Sequence, residues 1–191
     1  MKKVTRKQFG QWQILAQAQE LNDLRQVIRA AYVQLTAKNP RTEADIQAYQ
    51  QLCDRFHANF DRLAFPGGWE QGRAALKAQE PVAIDFGIAY LEANPMFFRS
   101  GYIKQEIAQL LKKAAVKGFD FTAEQRTRLQ AVFLRTVIDG CSREFRSYCQ
   151  LARQVSDAAF VTQITQLTQT SDDAGRRSRA KLLLHYLVAV R

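Results

Sequence analysis

Cysteine, histidine, proline and glycine are all scarce in this chain, and each shortage narrows what it can be. The 191 residues hold three cysteines and two histidines. Cys53, Cys141 and Cys149 are odd in number and widely spaced, which supports neither a disulfide framework nor a zinc ribbon and points to a reducing compartment. Only His57 and His185 are available for imidazole chemistry, and no serine or cysteine nucleophile stands beside either in a recognisable signature. Four prolines, nine glycines and no low-complexity tract argue against a disordered or collagen-like chain. The longest apolar run, Leu182 to Val190, is broken by His185 and falls well short of the roughly 20 residues a membrane span needs. The basic head at Lys2, Lys3, Arg6 and Lys7 is followed by Gln and Gly rather than an apolar core, so it does not read as a signal peptide. The expectation is a soluble, cytoplasmic protein without membrane partners.

What the chain does have is apolar residue at helical spacing: 47% of it is hydrophobic, enough for a core. No stretch alternates apolar and polar residues over strand length, so the fold class expected is all-α. The whole chain, 1–191, is read as a single all-α domain with possible sub-structure: a helical hairpin over 1–64 and a helical-pair bundle over 81–191.

In the hairpin, Ile14, Leu21, Leu24, Ile28, Ala31 and Leu35 follow a seven-residue repeat from about Thr5 to Ala37. After Asn39-Pro40-Arg41, Thr42 is a good N-cap, with Glu43 and Asp45 suited to the positive helix end. A second helix to about Leu63 carries Ile46, Tyr49, Cys53, Phe56, Phe60 and Leu63 on one seam, and the short connection makes the two antiparallel. Phe65-Pro66-Gly67-Gly68 ends the hairpin and is the best internal boundary. Trp69 to Gln79 shows little pattern.

Pro81 suits the first turn of a helix bearing Ile84, Ile88 and Leu91, and Asn94-Pro95 closes it and is expected to cap the next, with Ile103, Ile107, Leu110, Leu111 and Ala114 inward until Gly118. Thr122 with Gln125 forms a capping-box pattern for a helix to about Asp139, closed by Gly140. Ser142 is expected to cap a helix to about Asp157, Phe160 to Leu167 lies in another, and Ser171-Asp172-Asp173 opens the last. Three helical pairs thus follow residue 81, arranged as an irregular bundle or a short HEAT-like stack; their length fits that class, but no repeat signature recurs.

No constellation carries chemistry plainly. Cys53, His57 and Asp61 recur at i, i+4 and i+8 and can face one metal, yet Cys53 lies in the apolar seam. The pairs Asp172-Asp173 and Asp54 with Asp61 have simpler roles at a helix start and on a solvated face. Pro66-Gly67-Gly68-Trp69 lacks the preceding strand and the Gly-Lys-Ser/Thr ending of a phosphate loop. No catalytic residue, metal site or cofactor is therefore assigned, and the chain is read as non-enzymatic.

Charge is the one uneven property. Residues 99–191 hold 16 Lys and Arg against 8 Asp and Glu, whereas residues 8–98 hold 8 against 10. Arginine outnumbers lysine 18 to 10, and guanidinium is the better fork for phosphate. Arg143, Arg146, Gln150 and Arg153 step by 3, 4 and 3 opposite Phe145, Tyr148, Ala152 and Val155, a cationic ridge over an apolar face. Arg126, Arg128 and Arg135, then Lys112, Lys113 and Lys117, and finally Arg176, Arg177, Arg179 and Lys181 are candidates to extend it. Tyr90, Phe97, Phe98 and Tyr102, interleaved with Arg99 and Lys104, form a mixture able to stack bases and hold phosphates, although Phe97-Phe98 just after a proline turn is more often core packing between two helices. The expectation is a binding protein whose basic C-terminal half contacts an anionic partner, nucleic acid first or an acidic protein instead. The alternatives are a helical adaptor for protein partners and, third, an enzyme without a recognisable motif.

Overall fold

The structure is a computed structural model that describes residues 6–140 and 143–189. It is all-α: nine helices and no strand occur among the described residues. They are α1 (Arg6–Ala37), α2 (Glu43–Ala64), α3 (Trp69–Lys77), α4 (Pro81–Ala93), α5 (Ser100–Val116), α6 (Ala123–Asp139), α7 (Phe145–Val155), α8 (Ala158–Thr170) and α9 (Ala174–Val188). No described helix is long and apolar enough to cross a membrane. The chain divides into two compact units, Met1–Arg73 with Pro95–Ser100, and Ala74–Asn94 with Gly101–Arg191.

In the first unit α1 and α2 run antiparallel. Arg62 reaches Glu20 at 3.2 Å near one end, and the rings of Tyr32 and Tyr49 lie 5.9 Å apart near the other. At the turn, Thr42 caps α2 and Asp45 closes a full capping box by accepting from the Thr42 backbone N–H, while Lys38 pairs with the same carboxylate. The Lys38 and Thr42 hydrogen bonds hold the Asp45 carboxyl down at about 2. The α1 seam is buried unevenly: Ile14 and Leu21 are buried, but Leu24, Ile28, Ala31 and Leu35 are only half-buried.

The short loop Pro95–Ser100 packs on the hairpin away from its turn. Asn22 Nδ2 donates to the Met96 carbonyl at 2.8 Å, Phe97 packs against Phe60 and Phe98 against Phe56. The Arg25 guanidinium lies 3.9 Å above the Phe98 ring. The span expected to lack pattern is in fact helical from Trp69. Trp69 packs on Phe65, and the Glu70 N–H is capped by Asp61 Oδ1 at 2.8 Å, a donor–acceptor pair that no local pattern reveals. Gly72 is required there, because a Cβ would fall 2.4 Å from the Phe65 ring.

The second unit is a bundle. Its principal neighbours are α8 with α9, α4 with α6, α7 with α9, and α6 with α7. The core is built from the residues whose spacing marks them as inward, among them Ile84, Ile88, Ile107, Leu111, Leu129, Phe133 and Leu183. Phe133 touches Tyr148 of α7 and Phe160 of α8 at 6.1 and 6.4 Å between ring centres. Pro81 stands at the start of α4, the Thr122–Gln125 capping box opens α6, and Asp157 and Asp173 cap α8 and α9.

Two expected caps are placed differently. Asn94 ends α4 in the left-handed conformation, φ 48, but α5 begins only at Ser100, so Asn94 does not cap it. Its Oδ1 accepts instead from Lys104 Nζ at 2.8 Å. Ser142, the expected cap of α7, lies outside the described residues; α7 begins at Phe145, and Glu144 occupies the cap position without a side-chain cap bond.

Candidate anion-binding surface

Helix α7 buries Phe145, Tyr148, Cys149, Leu151, Ala152 and Val155, and this one-sided burial turns Arg146, Gln150 and Arg153 the other way. Arg146 is exposed and Arg153 half-buried. Arg143 stands in the turn before the helix, not on it, and its guanidinium lies 4.0 Å from the centre of the Tyr102 ring on α5. Tyr102 is 53% exposed. Further along the same pair of helices, Lys112 Nζ donates to Gln150 Oε1 at 3.1 Å, and Gln109 Nε2 reaches Ser147 Oγ at 3.4 Å. Both helices rise in the same direction, since higher numbers on α5 meet higher numbers on α7.

Glu144 is the only acidic residue between 140 and 156, and it does not face solvent. Its carboxylate lies 3.0 Å from Lys104 Nζ, with the two side chains 6% and 3% exposed. The outward side of α7 is therefore cationic without an acid of its own. The buried pair also sets register: Lys104 follows Tyr102 by two residues and Glu144 follows Arg143 by one, so joining the charged pair brings the stacked pair together.

Arg128, Arg126, Arg177, Arg135 and Arg179, also named from the sequence, have partners within the protein. Arg128 forms a two-pronged bond to Glu92 at 3.0 and 2.7 Å, with Asp85 3.6 Å away. Burial works against its charge, but the hydrogen bond and charge of Glu92, with Asp85 and Glu124, raise its pKa further. Arg126 donates to the Phe121 carbonyl and to Asp120, each at 2.9 Å. Arg177 donates to the Ser171 carbonyl at 2.6 Å. Arg176 is half-buried near the start of α9.

Arg135 and Arg179 share one device. Arg135 bonds the Glu92 and Leu91 carbonyls at the end of α4, at 2.6 and 2.8 Å. Arg179 bonds those of Val137 and Ile138 at the end of α6, at 2.8 and 3.2 Å. Helix C-termini leave carbonyls unpaired and carry partial negative charge, so a guanidinium satisfies both needs at once. Part of the arginine excess thus holds helix ends within the bundle.

The lysines before Gly118 divide as well. Lys112 faces α7, whereas Lys113 and Lys117 line a depression of about 250 Å³ with Lys77, Gln79, Leu76, Leu110 and Ala114. Lys77 and Lys113 stand in the last turns of α3 and α5, where cations complement the helix ends. Of the aromatic cluster, Tyr90 is buried, with burial pushing its hydroxyl pKa up, and Lys104 is buried on Glu144. Tyr102 is the member that meets the ridge.

The Cys53, His57, Asp61 face does not assemble. The Asp61 carboxylate serves α3, His57 lies edge-on to Phe56, and Cys53 bonds the Tyr49 hydroxyl, raising that tyrosine's pKa. Among the described residues no three His, Cys, Asp or Glu side chains converge as a metal site. No protein-family model, no curated protein sequence and no solved structure matches the chain.

Proposed function

We propose that this chain is a non-enzymatic, cytoplasmic binding protein whose α5–α7 face takes an anionic partner, with nucleic acid as that partner. The observation that carries the reading is the inward turn of Glu144 onto Lys104 beside the exposed Arg143 and Arg146. Two guanidiniums are presented on one face, and the one acid within residues 140–156 is turned away from them onto Lys104. Solubility alone does not require this arrangement, whereas phosphate oxygens match the guanidinium fork.

The decisive experiment is binding of a short duplex and a single strand at about 50 and 200 mM salt, since displacement of counterions makes phosphate binding weaken steeply with salt. Absence of binding at the lower salt defeats the reading and leaves the face to an acidic protein.

A second reading, an adaptor for another protein, is favoured by the hairpin's turn-side half. There Tyr32, Val33 and Ile46 are 52%, 60% and 41% exposed, more apolar surface than a two-helix hairpin covers by itself. A pull-down that loses its partner on Val33→Asp, with the fold intact, supports it.

A further inference from the structure

We infer that Tyr102 and Arg143 form a stacking platform for an unpaired base, so that the nucleic acid taken by this face is single-stranded. The inference rests on the nucleic-acid reading above and adds to it the class of strand.

Three observations converge on it. The Arg143 guanidinium lies 4.0 Å from the centre of the Tyr102 ring. At that separation the two planar groups hold each other, and the guanidinium keeps its edge donors for phosphate and its outer face for a base. Tyr102 is 53% exposed, which a ring serving only as core packing would not be. Both residues are also held rather than loose: Lys104 and Glu144 lock the α5 start to the turn before α7 in a buried pair, and Asn94 binds the same ammonium at 2.8 Å. A buried ion pair is a poor source of net stability but a good device for fixing register, and here the register it fixes is that of the stacked pair.

The preference for a single strand follows from the chemistry. In a duplex the base faces are covered by their neighbours, so an aromatic ring at the surface gains nothing from them. An unpaired base offers its face to tyrosine or arginine, and such stacking contributes about 1 to 3 kcal/mol per base. Arg146 on the next turn then stands in position for a backbone phosphate.

The test compares oligothymidylate, a duplex of matching length and inorganic polyphosphate on the wild-type chain and on Tyr102→Ala and Tyr102→Phe. Tyr102→Ala is expected to weaken oligothymidylate binding on the order of ten-fold, as the loss of one stacked base implies. Duplex and polyphosphate binding should weaken by no more than about two-fold, the share due to a less well held Arg143. Tyr102→Phe keeps the ring and should bind oligothymidylate like the wild type. Thermal melts confirm that the variants fold. Equal losses on all three probes, a Phe variant as weak as the Ala variant, or no change overturns the platform while leaving the anion-binding face standing. If the wild-type chain binds none of the three probes, the nucleic-acid reading falls and the platform with it.

Discussion

Lys104 Nζ and Glu144 Oε1 lie 3.0 Å apart inside the second unit, joining the second turn of α5 to the residue before α7. Removing one partner leaves the other charge buried without its counter-ion. Lys104→Met or Glu144→Leu is expected to destabilise the protein by about 3 to 5 kcal/mol in a urea melt, whereas the double variant should recover most of that loss. If each single variant costs as little as the double, the pair is more hydrated than its burial indicates.

The outward arginines should behave oppositely, mattering to binding and hardly to stability. Arg143→Gln with Arg146→Gln is expected to shift the denaturation midpoint by no more than about 0.5 kcal/mol equivalent per site. The log-log salt slope of duplex binding should fall by about 2, at roughly 0.9 per phosphate contact. An unchanged slope removes both arginines from the interface. Arg153 is half-buried, so it is left out of this variant.

Arg135 separates the two uses of arginine. It bonds two carbonyls at the end of α4, so Arg135→Ala should cost about 1 to 3 kcal/mol, the range for stranding buried polar groups. Its effect on the salt slope should be negligible. A stable Arg135→Ala variant that binds nucleic acid weakly would reverse the assignment.

The hairpin should respond unevenly along its length. Phe56 is 6% exposed between the rings of Phe60 and Phe98, so Phe56→Ala is expected to cost about 3 to 5 kcal/mol. Tyr32 is 52% exposed, and Tyr32→Ala should cost under about 1 kcal/mol. Equal effects in denaturant melts would contradict the gradient of burial along α1.

Acid should weaken the helix starts. Hydrogen bonds from Lys38 and Thr42 lower the Asp45 pKa from 3.8 to about 2; the Phe160 N–H and then Gln130 lower that of Asp157, and the Arg176 N–H that of Asp173. A carboxylate whose folded pKa is depressed contributes its stability above the unfolded pKa and loses it as pH falls through the folded one. Urea midpoints should therefore be level above about pH 5 and fall between about pH 4 and 2. Asp157→Asn, which keeps an accepting oxygen but no charge, should flatten part of that fall. A slope unchanged in Asp157→Asn would show that its charge contributes nothing.

Helix identity and most helix limits were legible because they depend on neighbours within one or two turns. Thr122 with Gln125, Asp173 at the start of α9, Pro81 at the start of α4, and the inward faces Ile103–Ala114 and Leu129–Val137 all follow from local spacing. Helix α3 escaped because its cap is Asp61, on another helix, and its glycine answers to Phe65 rather than to a turn. The same holds for the basic residues. The sequence by itself determined an all-α chain with a cationic C-terminal half, since composition and periodicity are properties of the chain alone. Only tertiary structure decided which cations are outward: Arg128 is drawn to Glu92 and Arg179 to the end of α6, while Glu144 turns in to Lys104 and leaves Arg143 stacked on Tyr102. Charge acts through space, and for Arg128 and Arg179 the partner lies on a helix dozens of residues away.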